Sequence, residues 1–474
     1  VSGLASAAVR GSLWLGAVNL LSKGSQVAVT LSLAAFLGEA ELGLVTLVVA
    51  LVNVGQVIQA MGVYDVISRT DRDPAVMAGT VLTLSVGTGL ALAALLVLAA
   101  PALAGLLGSP EAAPLIRLAA CALPFTAAGG VQMGLMHRDL AFRRRMLPDA
   151  GGAILGACVT VVLAANGSGP YAMVVGLLVT AVAQPLLGIM VGAWVGPRWD
   201  TDAAAEAVRW IAVVGPAAIV ATLLVNVDYP VIGHVLGPEA VGVYSLAYRI
   251  AWMPYIMGAI VLGAVAFPVY TRLIREGRDA DLPTAISRFT RATALVTGCL
   301  YVTAAVLGAR VVVLGERWAP AAPVLALLCV YGLAISVTHI WYEAIRAAGH
   351  PRRYLALQTA HLVALVLALI GVTRFGVVAV AAAQAVVALV MAAVAWRTLA
   401  RFGLAPARMS MSLLGTWALA AAPVVVLDRL GVFGPPDSVL GAPAAGLAAI
   451  ACCACSVLLT QRAALADLRS GGQR

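Results

Sequence analysis

Apolar runs of about 20 residues recur along the chain from near its start to near its end, and that is the length a helix needs to cross the hydrocarbon of a bilayer. Lipid offers no partner to backbone amides, so a chain built this way has two choices, a bundle of helices or a closed barrel. A barrel would show shorter segments, about ten residues each, in which apolar and polar side chains alternate. The runs here are longer and apolar throughout, so the expected fold class is an all-α polytopic membrane protein. Composition agrees, because 62% hydrophobic residues against 11% charged ones leave too few polar side chains to cover a soluble fold of this length. The net charge of +9 therefore has no soluble basic domain to reside in, and nucleic acid is excluded as a partner.

Charged or Gly/Pro-rich joins divide the chain into fourteen expected spans, near 12–37, 43–66, 77–100, 113–135, 149–165, 171–196, 209–234, 240–270, 289–311, 321–345, 354–372, 376–396, 411–428 and 438–460. The first is too long, and too polar in its middle, for a cleavable signal, and reads as a retained span. With the amino terminus in the cytoplasm, 23 arginines fall in inner joins, among them Arg143, Arg144, Arg145, Arg352 and Arg353. Only Arg310, Arg317, Arg374 and Arg429 fall in outer ones. Positive charge is retained on the cytoplasmic side, so both termini are expected there. The outer joins, GEAE, GSPEA, NGSGP and LGPEA, are too short to hold a domain.

The chain also repeats. LGEAELGLVTL from Leu37 matches LGPEAVGVYSL from Leu236, with Gly38 on Gly237 and Gly43 on Gly242 at an offset of 199. APLIRL from Ala113 matches APVLAL from Ala322 at an offset of 209, which also places Arg143 and Arg144 on Arg352 and Arg353. Six spans thus repeat as the next six with the same orientation, giving expected lobes at 1–200 and 201–402 and a segment 403–474 with the last two spans. Repeats of this kind commonly flank a substrate site near the bilayer midplane.

Polar residues inside the spans point to that site. Asn19, Lys23, Gln26 and Thr30 are spaced 4, 3 and 4, which aligns them on one face of the first span. Lys23 is the sole lysine, and a charge at that depth costs about 3 kcal/mol without water or a partner. The face is expected to line a water-filled cavity. Asn53 and Gln56 extend it on span two, and the offset of 199 carries them onto Trp252 and Tyr255. Asp228 and Arg249 lie at similar depth in spans seven and eight. They read either as a salt bridge fixing that hairpin or as a binding arginine, suited to phosphate by its permanent charge and forked donors, with an acid that holds or releases it. Tyr248, Trp252 and Tyr255 share a face that suits sugar rings or, alternatively, an interfacial anchor. On span ten, His339, Glu343 and Arg346 are spaced 4 and 3, as in a helix-end salt bridge. His361 reads as a core histidine or a proton relay. The basic join from His137 to Met146 reads as a topology anchor or a contact to anionic lipid heads.

Other chemistries find no support. There is no GxxxxGK[ST] loop for nucleotide and no metal-ligand cluster, and the seven cysteines sit in apolar segments as core residues. No cofactor is expected. A glycosyltransferase or polymerase would need acids or bases in a pocket on sizeable loops, for which the joins leave no room.

With these motifs the sequence resembles the Wzx-type polysaccharide flippases, in the capsular and exopolysaccharide branch of the multidrug/oligosaccharidyl-lipid/polysaccharide exporter superfamily. The resemblance covers most of the chain. It rests on LGEAELGLVTL, on MHRDLAFRRRM from Met136, on the pattern DxxxIGxxLGxxxxGxYxxAxR from Asp228 to Arg249, and on GERWAPAAPVL from Gly315. It implies a V-shaped bundle of fourteen helices. Such a bundle would carry an undecaprenyl-pyrophosphate-linked oligosaccharide, the polysaccharide repeat unit, from inner to outer leaflet by alternating access through a cationic cavity. The resemblance puts Lys23 and Arg249 on basic cavity positions, and Asn19, Gln26, Asn53, Gln56, Trp252 and Tyr255 are the expected neighbours. Asp228 and Glu343 are the candidates for coupling to H+ or Na+ or for gating. Implied partners are the lipid-linked saccharide, membrane lipids and a polysaccharide polymerase, in a bacterial cytoplasmic membrane. The alternatives are a cation-coupled multidrug or metabolite exporter, which Asp228 and Glu343 would serve, and a lipid II flippase, whose first lobe carries more cavity arginines than this one.

Overall fold

The structure is a computed structural model that describes residues 29, 32–60, 62–139, 141–405, 411–438 and 440–460. The described residues form helices joined by short turns and contain no strand. Twelve helical segments among them are long and apolar enough to cross a membrane. The expected span 12–37 lies almost wholly outside the described residues, and with it Asn19, Lys23, Gln26 and Thr30.

The chain divides into two compact units, Val1–Ser245 and Leu246–Arg474. The first holds α1 (Glu39–Ala60), α2 (Pro74–Leu106), α3 (Ala112–Ala120), α4 (Leu123–Arg138), α5 (Gly152–Ala165), α6 (Tyr171–Met190), α7 (Thr201–Asn226) and the short helix Asp228–Leu236, and ends within α8 (Pro238–Pro254). With no hydrophobic drive between helices in lipid, close backbone approach has to supply the contact, and α5 and α6 show how. A Cβ at Gly156 would strike Thr180 and the Gly176 carbonyl, and a Cβ at Gly176 would strike Thr160 and the Gly156 carbonyl. Each threonine donates to the carbonyl of the glycine four residues before it, at 2.8 and 2.9 Å, so no hydroxyl is stranded.

The expected sixth span ends early. Helix α6 stops at Met190, Gly192 turns in the left-handed region at φ 78°, and residues 191–200 run without regular structure. This stretch is laid along α2. Arg198 N donates to Gly79 O at 3.3 Å, Thr83 Oγ1 donates to Arg198 O at 2.9 Å, and Asp200 N donates to Thr80 Oγ1 at 3.2 Å. A side chain at Gly79 would block it. Asp200 then caps α7 through Ala203 N at 2.8 Å, a contact worth about 1 kcal/mol, so α7 begins earlier than the apolar run that predicts it. Arg72 pairs with Glu206 at 2.9 Å and Arg69 lies over the Trp210 ring at 4.9 Å, which fastens the start of α7.

The repeat is visible in how elements begin. Helices α1 and α8 start at Glu39 and Pro238, an offset of 199, and the buried positions that follow coincide, Leu42 with Val241, Val45 with Tyr244 and Val48 with Ala247. The two helices cross reciprocally: a Cβ at Gly43 would strike the Pro238 carbonyl, and one at Gly242 would strike the Glu39 carbonyl. Between them Thr46 Oγ1 donates to Ser245 Oγ at 3.2 Å, again 199 residues apart. This is the self-complementary contact that a two-fold relation produces.

The second unit continues from Leu246 with a π-type turn at Tyr255–Ile260, α9 (Val261–Arg275), α10 (Leu282–Val306), α11 (Ala321–Ala347), α12 (Pro351–Val372), α13 (Val377–Arg401), α14 (Met411–Arg429) and α15 (Gly441–Thr460). Helices α3 and α11 begin at Ala112 and Ala321, an offset of 209, and both bury the matched pairs Leu115 with Val324 and Ile116 with Leu325. The first copy breaks before Pro124, which lacks an amide proton, and α11 runs on. The apolar core of this unit joins α9, α10, α11 and α13 through residues such as Ile286, Ile340, Ile345 and Leu399. The expected span 411–428 corresponds to α14, whose Trp417 seats on Gly298 of α10. The cysteines are all free.

Candidate functional site

Asn53 and Gln56 sit half-buried on α1, one turn apart, with Gln59 beyond them bonded from Nε2 to Thr126 Oγ1 at 2.5 Å. Asp228 opens the short helix after α7 and is fully buried. Tyr244 of α8 donates its hydroxyl to Asp228 Oδ2 at 2.8 Å and the Tyr229 amide donates to Oδ1 at 3.0 Å. Both carboxylate oxygens are thus satisfied, and Tyr229 packs edge-on to Tyr244 at 6.0 Å. Tyr244 escapes sequence reasoning as a partner, because 16 residues and a helix break separate it from Asp228.

In the second unit the later turns of α8 carry a row of rings. Tyr248 stacks on Trp252 at 5.4 Å with 17° between planes, and Trp252 meets Tyr255 at 4.7 Å. Arg249, which follows Tyr248 in the chain, is half-buried and engaged. Pro254 leaves a helix bond unmade, and the chain answers with the wider turn Tyr255–Ile260, a distortion that often accompanies functional sites. Tyr255 therefore reaches α11, where its hydroxyl lies 3.3 Å from His339 Nδ1. Of the expected trio on span ten, Glu343 and Arg346 form the helix-end ion pair at 2.9 Å, while His339 turns to Tyr255. His361 is buried on α12, with no hydrogen-bond partner for Nε2 among the described residues.

The basic join after α4 works on helix ends. Arg138 donates from Nη1 to Ile67 O at 2.6 Å and Thr70 O at 3.2 Å, Arg144 donates from Nε to Val191 O at 3.0 Å, and Arg145 pairs with Asp149 at 3.5 Å. Cations are favoured where helices expose their last carbonyls. In the join after α9, the Arg272 guanidinium beside Glu276 holds its carboxyl below the usual carboxylate range.

A family model described as "Polysaccharide biosynthesis protein" matches residues 32–323. The chain belongs to this polysaccharide biosynthesis family. Family membership bears out the resemblance to the Wzx-type branch. Among similar proteins are the lipopolysaccharide biosynthesis protein WzxC of Escherichia coli K12, 24% identical over 339 residues, 69% of this chain and 68% of that protein. The succinoglycan biosynthesis transport protein ExoT of Rhizobium meliloti is 28% identical over 228 residues, 48% of this chain and 46% of that one. The match therefore spans about half to two thirds of those relatives. Among solved structures, the lipid II flippase MurJ in an inward closed conformation superposes with a TM-score of 0.76 at 11% identity, over 96% of this chain and 100% of that one. An inward-facing multidrug resistance MATE transporter gives 0.67 at 19% identity, over 81% and 95%. At these identities the likeness shows the fold, which this chain shares with those two proteins.

Proposed function

We propose that this chain carries an undecaprenyl-pyrophosphate-linked oligosaccharide from the inner to the outer leaflet of a bacterial cytoplasmic membrane, as a transporter and not an enzyme. The family and the names of its relatives support a role in polysaccharide biosynthesis, and the repeated, reciprocally crossed helices support alternating access. The observation that carries the reading is the row Tyr248, Trp252 and Tyr255, with Arg249 on the same helix. Stacked rings offer apolar faces to sugar, and a guanidinium offers fixed charge to phosphate. In this reading Lys23 supplies a second cation, Asn19, Gln26, Asn53 and Gln56 supply hydrogen bonds, and Asp228 and Glu343 couple or gate the cycle with H+ or Na+. Both termini face the cytoplasm, and a polymerase receives the product outside. The committed hydrogen bonds of Asp228 weigh against its use as a binding acid for cationic drugs.

Native mass spectrometry of the full-length protein, extracted with its lipids, tests this. The expected spectrum carries a lipid-linked saccharide whose occupancy falls roughly tenfold in Arg249→Ala, as one or two charge-assisted hydrogen bonds would require. Phospholipid alone, or equal occupancy in both proteins, would contradict it.

A further inference from the structure

Residues 191–200 leave α6 and reach α7 as a strap with two unlike faces. Val195 is buried with Val66, Met77 and Val131 in an apolar core of the first unit. Trp194 and Trp199 are turned outward, 69% and 60% exposed. Between them Arg198 lays its Cβ and Cγ over Gly79 of α2. Its guanidinium is exposed and has no ion-pair partner among the described residues. Arg144, also exposed, donates to the Val191 carbonyl where the strap begins.

The strap lies on the side of α2 that faces lipid. Gly79 and Thr83, which hold it, continue into Gly87, Leu90, Ala94 and Leu98 at spacings of 4, 4, 3, 4 and 4, so all six share one helix face. The last four are exposed, and an exposed face of glycine, alanine and leucine on a membrane helix meets acyl chains. Under the strap the same helix is closed all round, with Met77 to Val81 buried without a gap. Depth follows from length, because the 33 residues of α2 make about 50 Å of helix against about 30 Å of hydrocarbon. Exposed leucine continues to Leu106 at the far end, so the surplus falls on the first turns, where the strap sits. At that level the amphipathic ring of tryptophan is at home, and an arginine can pack its stem on the protein with its head among polar groups.

We infer that residues 191–200 are a membrane-surface anchor for an anionic phospholipid. Trp194 and Trp199 insert among the headgroups of the leaflet on the basic side, and Arg198 between them takes the phosphate. A guanidinium with its forked donors uncommitted is the complement of a phosphate. Of the acids that follow, Asp200 caps α7 and Glu206 is held by Arg72, which leaves Asp202 against the exposed Arg144, Arg198 and Arg209. Phospholipid is the occupant because the strap continues the face that α2 gives to acyl chains. The anchor sets the depth of the first unit at the joint between α6 and α7, whatever the substrate.

The test places a fluorophore on Pro197→Cys in an otherwise cysteine-free full-length protein, which keeps both tryptophans, in phosphatidylcholine nanodiscs. Three quenchers are compared: a shallow doxyl group carried on phosphatidylcholine, the same group carried on phosphatidylglycerol, and iodide in the water. The expected result is stronger quenching by both lipids than by iodide, with phosphatidylglycerol effective at about fivefold lower mole fraction, the preference that one arginine near the surface supplies. Arg198→Gln should erase that preference and leave quenching by phosphatidylcholine unchanged. Trp194→Ser combined with Trp199→Ser should shift the label towards iodide. Quenching by iodide alone overturns the proposal, as does shielding from all three, which would put a protein over the strap. Equal quenching by the two lipids, or a preference that survives Arg198→Gln, overturns it as well. None of these outcomes bears on the flippase reading, which rests on the family and on the row of rings.

Discussion

Arg310 ties down the turn between the last two helices. Its Nε donates to Asp428 Oδ1 at 2.8 Å and its Nη2 to the Gly434 carbonyl at 3.1 Å, with Phe433 beneath the guanidinium at 5.6 Å. The side chain is 6% exposed, so removing it leaves an acid and carbonyls without their donor. Arg310→Ala should lower stability by about 3 kcal/mol, measured as a fall in the thermal midpoint of the purified protein. Arg310→Lys should recover less than half, since an ammonium cannot reproduce the fork. In the sequence Arg310 reads only as one of four outer arginines, because Asp428 lies 118 residues away and no local spacing announces it. Glu343 and Arg346 are legible by contrast, since i and i+3 on a helix are neighbours by geometry alone.

Among elements, the crossing of α1 and α8 joins segments that the sequence pairs by an offset of 199. Equal spacing of Gly43 and Gly242 shows that both helices need a bare face. That each face meets the other follows only from the tertiary structure, because a repeat reports homology and not contact. Thr46→Cys with Ser245→Cys, in a cysteine-free background, should therefore join under mild oxidation, and the two halves should stay linked after proteolysis within 191–200. Separation of the halves would place the helices elsewhere. Helix ends were the least legible feature: α6 stops at Met190 and α7 starts at Thr201 because glycines and an aspartate cap redirect the chain there, whereas hydropathy registers only apolar length.

For the whole molecule, the helical class, the number and order of most spans and the family were open to sequence reasoning, since bilayer thickness and backbone hydrogen bonding leave few solutions. The site was legible in part. Spacing put Tyr248, Trp252 and Tyr255 on one face, yet the link from Tyr255 to His339 depends on the wide turn after Pro254, which no periodicity encodes. Lys23, Asn19 and Gln26 lie outside the described residues, so their part in the cavity stays a proposal. The central claim is directional movement of a lipid-linked saccharide past cations in the bilayer. Its most direct measurement is leaflet-resolved flux of a labelled undecaprenyl-pyrophosphate oligosaccharide in proteoliposomes, comparing the wild type with Lys23→Ala and Arg249→Ala. The account predicts flux above protein-free vesicles and a loss of at least about tenfold in each variant, as expected for a lost charge-assisted contact. Flux that is absent in the wild type, or undiminished in both variants, would contradict it.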